Sequence, residues 1–528
     1  MTPPHLPKRA FRLTQTVAAR LQANDFAAAF RPGSRRRHWL RVVPGMLTLL
    51  GCLSTGLTAY AAGTTTAAEL MFDACTIDDP SGRQQLHAEC TSVRVLENPD
   101  DQASRLINLR LVRVKSRDSN PQTDPLTLIA GGPGQSAAES FALLQRIFET
   151  VRKHRDIYLL DQRGTGASAP LHCDVEAAQG DPFLTDPEAI RVAAKRCQDE
   201  LDGDTRFYTT SIAVRDLEHV RNQLGIEQWN IYAVSYGTRV ALHYLRRYPE
   251  QVRAMVLDAV LPPDTVLAET LGEHAAAALL LITDRCKSDA ACDQRFLNLH
   301  RNSVALLQSL QQTPRQVSFE NFNTGKVEQM QFSHAHLAVT LRMLSYSAAG
   351  AAILPQLLYE AYANNNFAPL ARQASLQTAQ ISSTVASGMH NAVVCAEDAP
   401  FIDTANTDNL FLGAAAITAL QASCADWPSG VIDADFRQPV QSDIPTLILS
   451  GEADPVTPPS FGEQVATGLT NSRHLINPGQ GHMQIATGCM PRLVARFIQT
   501  IDPDGLDTRC LERISPPAFF VDANGPLP

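Results

Sequence analysis

The chain has 528 residues, 44% of them apolar and 19% charged, with 45 basic against 54 acidic side chains and a formal charge of −9. That apolar fraction excludes a disordered chain, and the lack of a basic surplus excludes a general nucleic-acid binder, which needs cations to face phosphates. The length allows two to four average domains, or one large α/β domain with an insertion.

The first 61 residues carry nine basic side chains (Lys8, Arg9, Arg12, Arg20, Arg31, Arg35, Arg36, Arg37, Arg41) and one acid, Asp25. An uncharged stretch follows over 42–62 and includes Ala59-Tyr60-Ala61, an A-x-A cleavage site. Basic residues, an apolar run and small residues in that order predict an export signal cut near Ala61. Gly45, Thr48, Gly51, Ser54, Thr55 and Gly56 make the run a poor permanent anchor, so no stable membrane span is expected in the mature chain. Arg36-Arg37-His38-Trp39-Leu40-Arg41 reads either as a twin-arginine export signal or as an ordinary basic leader. Leu49-Leu50-Gly51-Cys52 offers a lipoprotein cleavage box as a less favoured alternative. The mature protein is expected in the periplasm or outside the cell. Loss of nine bases and one acid with the leader turns −9 into −17.

Ten of the eleven cysteines lie beyond the leader. An even number in an exported chain points to disulfides. Ten cysteines permit hundreds of pairings, and buried free thiols are the alternative. Nearest-neighbour pairing is the simplest arrangement: Cys75–Cys90, Cys173–Cys197, Cys286–Cys292, Cys395–Cys424 and Cys489–Cys510. No C-x-x-C motif or His/Cys cluster suggests zinc, so neither metal nor cofactor is expected.

Ile107-Asn108-Leu109-Arg110-Leu111 alternates as a half-buried strand does, and Val112 and Val114 shift the phase, which predicts a bulge. Short, near-continuous apolar runs at 126–129, 157–160, 231–234, 254–257 and 446–449 suit strands buried on both faces of a parallel sheet. Helical periodicities lie between them at 141–152, 214–224 and 238–247. Alternating strands and helices predict a doubly wound α/β fold. From about 265 to 435 the pattern changes to long helical periods (267–285, 302–312, 334–344) with no buried-strand run. The expected organisation is a leader (1–61), a first core segment (62–265), a mainly helical cap insertion (266–435) and a second core segment (436–528).

The chemistry-bearing motifs sit at turns after these strands. Ala233-Val234-Ser235-Tyr236-Gly237 is a nucleophile-elbow pattern, whose crowded backbone demands small residues two before and two after the serine. Ser235 is the candidate nucleophile; a helix-capping serine is the structural alternative. Ala130-Gly131-Gly132-Pro133-Gly134 leaves backbone N–H groups open to a cavity. Gly131 or Gly132, together with Tyr236, are candidates for an oxyanion hole. Asp454, in Gly451-Glu452-Ala453-Asp454-Pro455, could orient an imidazole, and His482, 28 residues later, could act as general base. The order Ser, Asp, His is that of α/β-hydrolases, each residue following a strand.

With Asp161-Gln162-Arg163-Gly164-Thr165-Gly166, these motifs resemble the prolyl and tripeptidyl aminopeptidases of the α/β-hydrolase superfamily over roughly 90–520. Two departures stand out: Ala130 occupies a position where prolyl aminopeptidases usually have His, and Ala233 replaces the first elbow Gly. The resemblance implies an α/β-hydrolase fold and a serine peptidase that acts on peptides with a free N-terminus. It also implies cap acids that bind the substrate's ammonium; Glu397 and Asp398 are the candidates, with Glu397 favoured and a solvated acid beside a disulfide as the alternative reading. Asp161 and Arg163 are expected to be structural ties near the oxyanion turn. The alternative function is an esterase or other small-molecule hydrolase using the same triad. Oligomeric state, residue preference and the length of the released unit are left open.

Overall fold

The computed structural model describes residues 70–173, 186–322, 324–403, 411 and 415–526. The expected leader, its cleavage site and Cys52 lie outside them. Among the described residues, no helix is long and apolar enough to cross a membrane.

Among the described residues, eleven strands run in chain order: β1 (Asp73–Asp78), β2 (Gln85–Leu96), β3 (Leu106–Val114), β4 (Leu126–Ile129), β5 (Ile157–Leu160), β6 (Trp229–Val234), β7 (Val252–Asp258), β8 (Arg315–Glu320), β9 (Val327–Phe332), β10 (Thr446–Gly451) and β11 (Ser472–Asn477). Nine form one sheet in the order β1-β2-β3-β5-β4-β6-β7-β10-β11. β1, β2 and β3 pair antiparallel, as does β3 with β5; the remaining pairs are parallel. This is the doubly wound, mostly parallel sheet that the buried apolar runs predicted, in the α/β-hydrolase arrangement that the resemblance implied.

Within β6, Ile231 and Ala233 face one layer, where Val214, Leu217 and Val220 of the helix Thr210–Gln223 pack. Tyr232 and Val234 face the other, against Phe141 of Ala137–Leu144 and Phe497 of Met490–Thr500. Both faces are covered, so the strand needs no polar alternation.

β3 corrects one expectation. Its pairing with β2 keeps one register from Leu106↔Leu96 to Arg113↔Glu89, so there is no bulge. The change of phase has another cause. Leu109 and Leu111 pack in one layer while Val112 and Val114 pack in the opposite one, because β3 becomes buried on both sides where it meets β5. The expected helix over 141–152 is also two pieces, Ala137–Leu144 and Glu149–Arg152. Ser136 caps the first through Glu139 N–H, and the turn between them buries Phe148 against Phe141 and Tyr232.

Between β7 and β10 the described residues form helices and one hairpin. Leu267–Ser288, Leu299–Gln312, His334–Ser345, Ala348–Asn364 and Ala368–Thr384 share a core with Val317 and Phe319 of β8 and Phe332 of β9. The β8–β9 hairpin is absent from the sequence reading, although Val317 and Phe319 alternate as strand residues do. The helix Ser387–Glu397 instead packs on the sheet layer through Met389, Ala392 and Val393, which carries its C-terminal end to the site. All five expected nearest-neighbour disulfides are present.

Candidate active site

Ser235 stands between β6 and the helix Tyr236–Arg247 at φ +56°, ψ −128°. A non-glycine residue in that region persists only where its surroundings hold it. Its N–H donates to the Asp258 carbonyl at 3.0 Å, anchoring the turn to the neighbouring strand. Any Cβ at Gly237 would overlap the carbonyl oxygens of Ile129 and Ala130, so this position must be glycine. Ala233, two residues before the serine, is fully buried.

The glycine turn lies directly against the elbow. A Cβ on Gly131 would stand 3.0 Å from that of Ser235. Gly132 and Gly134 have φ of +110° and +109°, and the Gly132–Pro133 peptide is cis. Tyr236 opens a helix, where the first N–H groups have no partner within the helix; its hydroxyl accepts from Gln162 Nε2 at 3.1 Å and lies 2.7 Å from Thr210 Oγ1. The turn is braced from outside. Asp161 accepts from the Ser136 hydroxyl at 2.7 Å and from Arg110 Nε at 2.6 Å, while Arg163 pairs bidentately with Asp216 at 2.6 and 2.7 Å. Asp161 and Arg163 are therefore ties, as expected.

Asp454 and His482 follow β10 and β11. Asp454 Oδ2 lies 2.8 Å from His482 Nδ1 and accepts from the Thr457 hydroxyl at 2.9 Å. Asp454 Oδ1 accepts the N–H groups of Val456 and Thr457 at 2.9 and 3.0 Å. A carboxylate beside Nδ1 fixes the proton there and leaves Nε2 basic. Burial pulls the His482 pKa down, the charge and hydrogen bond of Asp454 push it up, and the net is a rise. The inserted segment reaches this residue too. Tyr346 accepts the His482 N–H at 2.8 Å, and the two rings lie 4.8 Å apart.

A cavity of about 350 Å³ is lined by Gly132, Ser235, Tyr236, Val456 and Thr457, by Arg239, His390 and Asp398, and by apolar residues that include Leu267, Leu271, Val393 and Leu420. The two candidate acids separate. Glu397 is fully buried; it accepts from Thr210 N and Oγ1 at 2.7 and 2.9 Å and is not among the cavity-lining residues. Burial pushes its pKa up to about 7, against the charge of Arg239. Asp398 lines the cavity and pairs with Arg239 at 3.0 Å.

Thr457, Arg239, His390, Tyr346 and Asp258 were not read from the sequence. Thr457 stands in the Asp454 motif and Asp258 is a charge that ends a buried apolar strand, so these two left a signal there. The others reach the site through folding.

The fold is that of the α/β-hydrolases. The α/β-hydrolase fold family matches residues 124–277, and the TAP-like protein family matches 409–510. The chain has the α/β-hydrolase fold and is similar, over part of its length, to proteins named as proline iminopeptidases and tripeptidyl aminopeptidases. It is 24% identical over 243 residues to the serine protease Hip1 of Mycobacterium tuberculosis, covering 43% of this chain and 46% of that protein. It is 32% identical over 161 residues to the "Probable proline iminopeptidase" of Streptomyces coelicolor (30% and 38%). It is 31% identical over 148 residues to the tripeptidyl aminopeptidase of Streptomyces lividans (25% and 28%). The chain spans less than half the length of each of these relatives.

Proposed function

We propose that the chain is an exported serine aminopeptidase that releases residues from free peptide N-termini. Ser235 Oγ attacks the scissile carbonyl while His482 Nε2 takes its proton, and Asp454 holds the resulting imidazolium. The tetrahedral oxyanion accepts from Tyr236 N–H and from an N–H of the Gly131-Gly132 turn. His482 returns the proton to the leaving amine, and water then hydrolyses the acyl-enzyme with His482 again as base.

The observation that carries the reading is a single cavity shared by Ser235 and Asp398. A carboxylate there offers a charge-assisted bond to an α-ammonium, and the apolar walls receive the side chains between the ammonium and the scissile bond. Asp398 takes this role rather than Glu397, because Glu397 already spends both oxygens on Thr210. The five disulfides fit an exported chain.

One observation favours the second reading, an esterase. Arg239 already faces Asp398, so the cavity could accept an uncharged acyl group. A panel of fluorogenic prolyl, alanyl and tripeptidyl amides, their N-blocked forms and short acyl esters separates the two, with products identified by mass. Release of N-terminal units from unblocked amides alone supports the aminopeptidase. Cleavage confined to esters or blocked peptides rules it out.

A further inference from the structure

We propose that Asp258, which none of the catalytic roles above uses, is a positioning residue that fixes the nucleophile and the base relative to each other. This rests on the Ser235–His482 reading but not on the identity of the substrate.

Asp258 ends β7 and is fully buried. Its backbone carbonyl accepts the N–H of Ser235 at 3.0 Å. Its carboxylate accepts the N–H of Gln484 at 2.7 Å and that of Ile485 at 2.8 Å, two and three residues past His482. The Tyr232 hydroxyl, from β6, donates to it at 2.8 Å. One residue thus holds the elbow with its main chain and the histidine loop with its side chain. Neither can move from the other without breaking one of these bonds.

The backbone around these bonds is strained. Ser235, Ala259 and Met483 have φ of +56°, +59° and +70°. They are the nucleophile, the residue after Asp258 and the residue after His482. Non-glycine residues stay in that region only when neighbours over-determine them, and such positions gather where geometry is functional. Asp258 is bonded to the first, covalently joined to the second, and holds the chain just beyond the third.

A buried carboxyl is a costly way to end a strand. Burial raises its pKa to about 6, against the donors from Gln484, Tyr232 and Ile485 and the nearby His482. Three donors offset that cost. Asp258 is not the acid that orients the imidazole, because that contact belongs to Asp454.

A fluorophosphonate probe tests the pair without reference to any peptide. Ser235 Oγ attacks phosphorus, fluoride leaves, and His482 takes the hydroxyl proton. Asp258→Asn keeps the shape and one acceptor, but turns an amide NH₂ toward the backbone N–H of either Gln484 or Ile485. Misplacement of the loop by a fraction of an ångström predicts labelling slower by on the order of 10–100-fold, and kcat lowered with KM within about twofold. A purely structural role would lower the melting temperature and leave the labelling rate of the folded fraction unchanged; labelling within about twofold of wild type overturns the proposal. If Asp258→Asn does not fold, Tyr232→Phe decides by the same assay, with labelling several-fold slower expected and a wild-type rate again overturning it. A wild-type chain that does not label removes the nucleophile–base pair and this proposal with it. Labelling without peptide cleavage removes only the aminopeptidase reading.

Discussion

At the scale of single residues, the candidate machinery is a serine held by its turn and a buried His482–Asp454 pair. Ser235→Ala is expected to lower kcat by on the order of 10⁴-fold with the fold intact, checked by circular dichroism beside the rate. His482 must be neutral to act as base. Its pKa is raised above the usual 6.5, so kcat/KM should fall as pH drops through a value above 6.5, and Asp454→Asn should move that limb down. The same raised pKa means that the protonated His482–Asp454 pair stabilises the fold below the unfolded value and that this contribution is lost as pH rises through the folded one. Glu397 has the same sign: its carboxyl, pushed up to about 7, is disfavoured when charged, so stability falls as pH rises from 4.5 through 7. The melting temperature of Glu397→Gln should therefore decline less than wild type between pH 5 and 8. Ser235, Asp454, His482 and the two glycines could be singled out as candidates because each sits in a short motif whose chemistry is local. Glu397 against Asp398 was not. Which of two adjacent acids faces the cavity depends on where the helix Ser387–Glu397 stops, and sequence places helix ends poorly.

At the scale of elements, the elbow and the inserted segment decide whether those residues meet. Gly237→Ala would drive a methyl group into the carbonyls of Ile129 and Ala130. A loss of at least about 1–3 kcal/mol in denaturant unfolding is expected, with activity lost beyond what stability explains because Ser235 moves with the turn. Gly481 shows the matching constraint from the inserted segment: a Cβ there would overlap the carbonyl of Ser345, beside the Tyr346 carbonyl that accepts the His482 N–H. Cys395–Cys424 ties the helix that ends at Glu397 to the helix Ala415–Cys424, which supplies Ala416, Ala419 and Leu420 to the cavity wall. Opening this one bond by Cys395→Ser and Cys424→Ser should raise KM for peptides more than it lowers kcat. The buried strands were legible as unbroken apolar runs. Tyr346 was not, since 136 residues separate it from the histidine it contacts and nothing local marks either end. The register of β3 was misread because burial on a second face looks like a bulge in the alternation.

At the scale of the whole molecule, the protein is an acidic α/β-hydrolase stapled by disulfides. Reduction of all five bonds under native conditions should lower the melting temperature by on the order of 10 °C or more, since each closed loop restrains the unfolded chain. Spacing and parity offered nearest-neighbour pairing only as the simplest arrangement among many, and it holds because short loops join elements that the fold keeps adjacent. What the cavity selects was not legible, because its walls come from segments far apart in sequence: Gly132, Ser235, Asp398, Leu420 and Thr457. The central claim is that Ser235 acts on peptides through recognition of a free amino terminus by Asp398. The most direct measurement is kcat/KM for one peptide amide with its amino terminus free and the same amide N-acetylated, in wild type and Asp398→Asn. The account predicts a preference for the free amine of about 10–100-fold, the worth of one charge-assisted bond, which collapses in Asp398→Asn while fluorophosphonate labelling is unchanged. Equal or faster cleavage of the acetylated amide by the wild-type enzyme would contradict it.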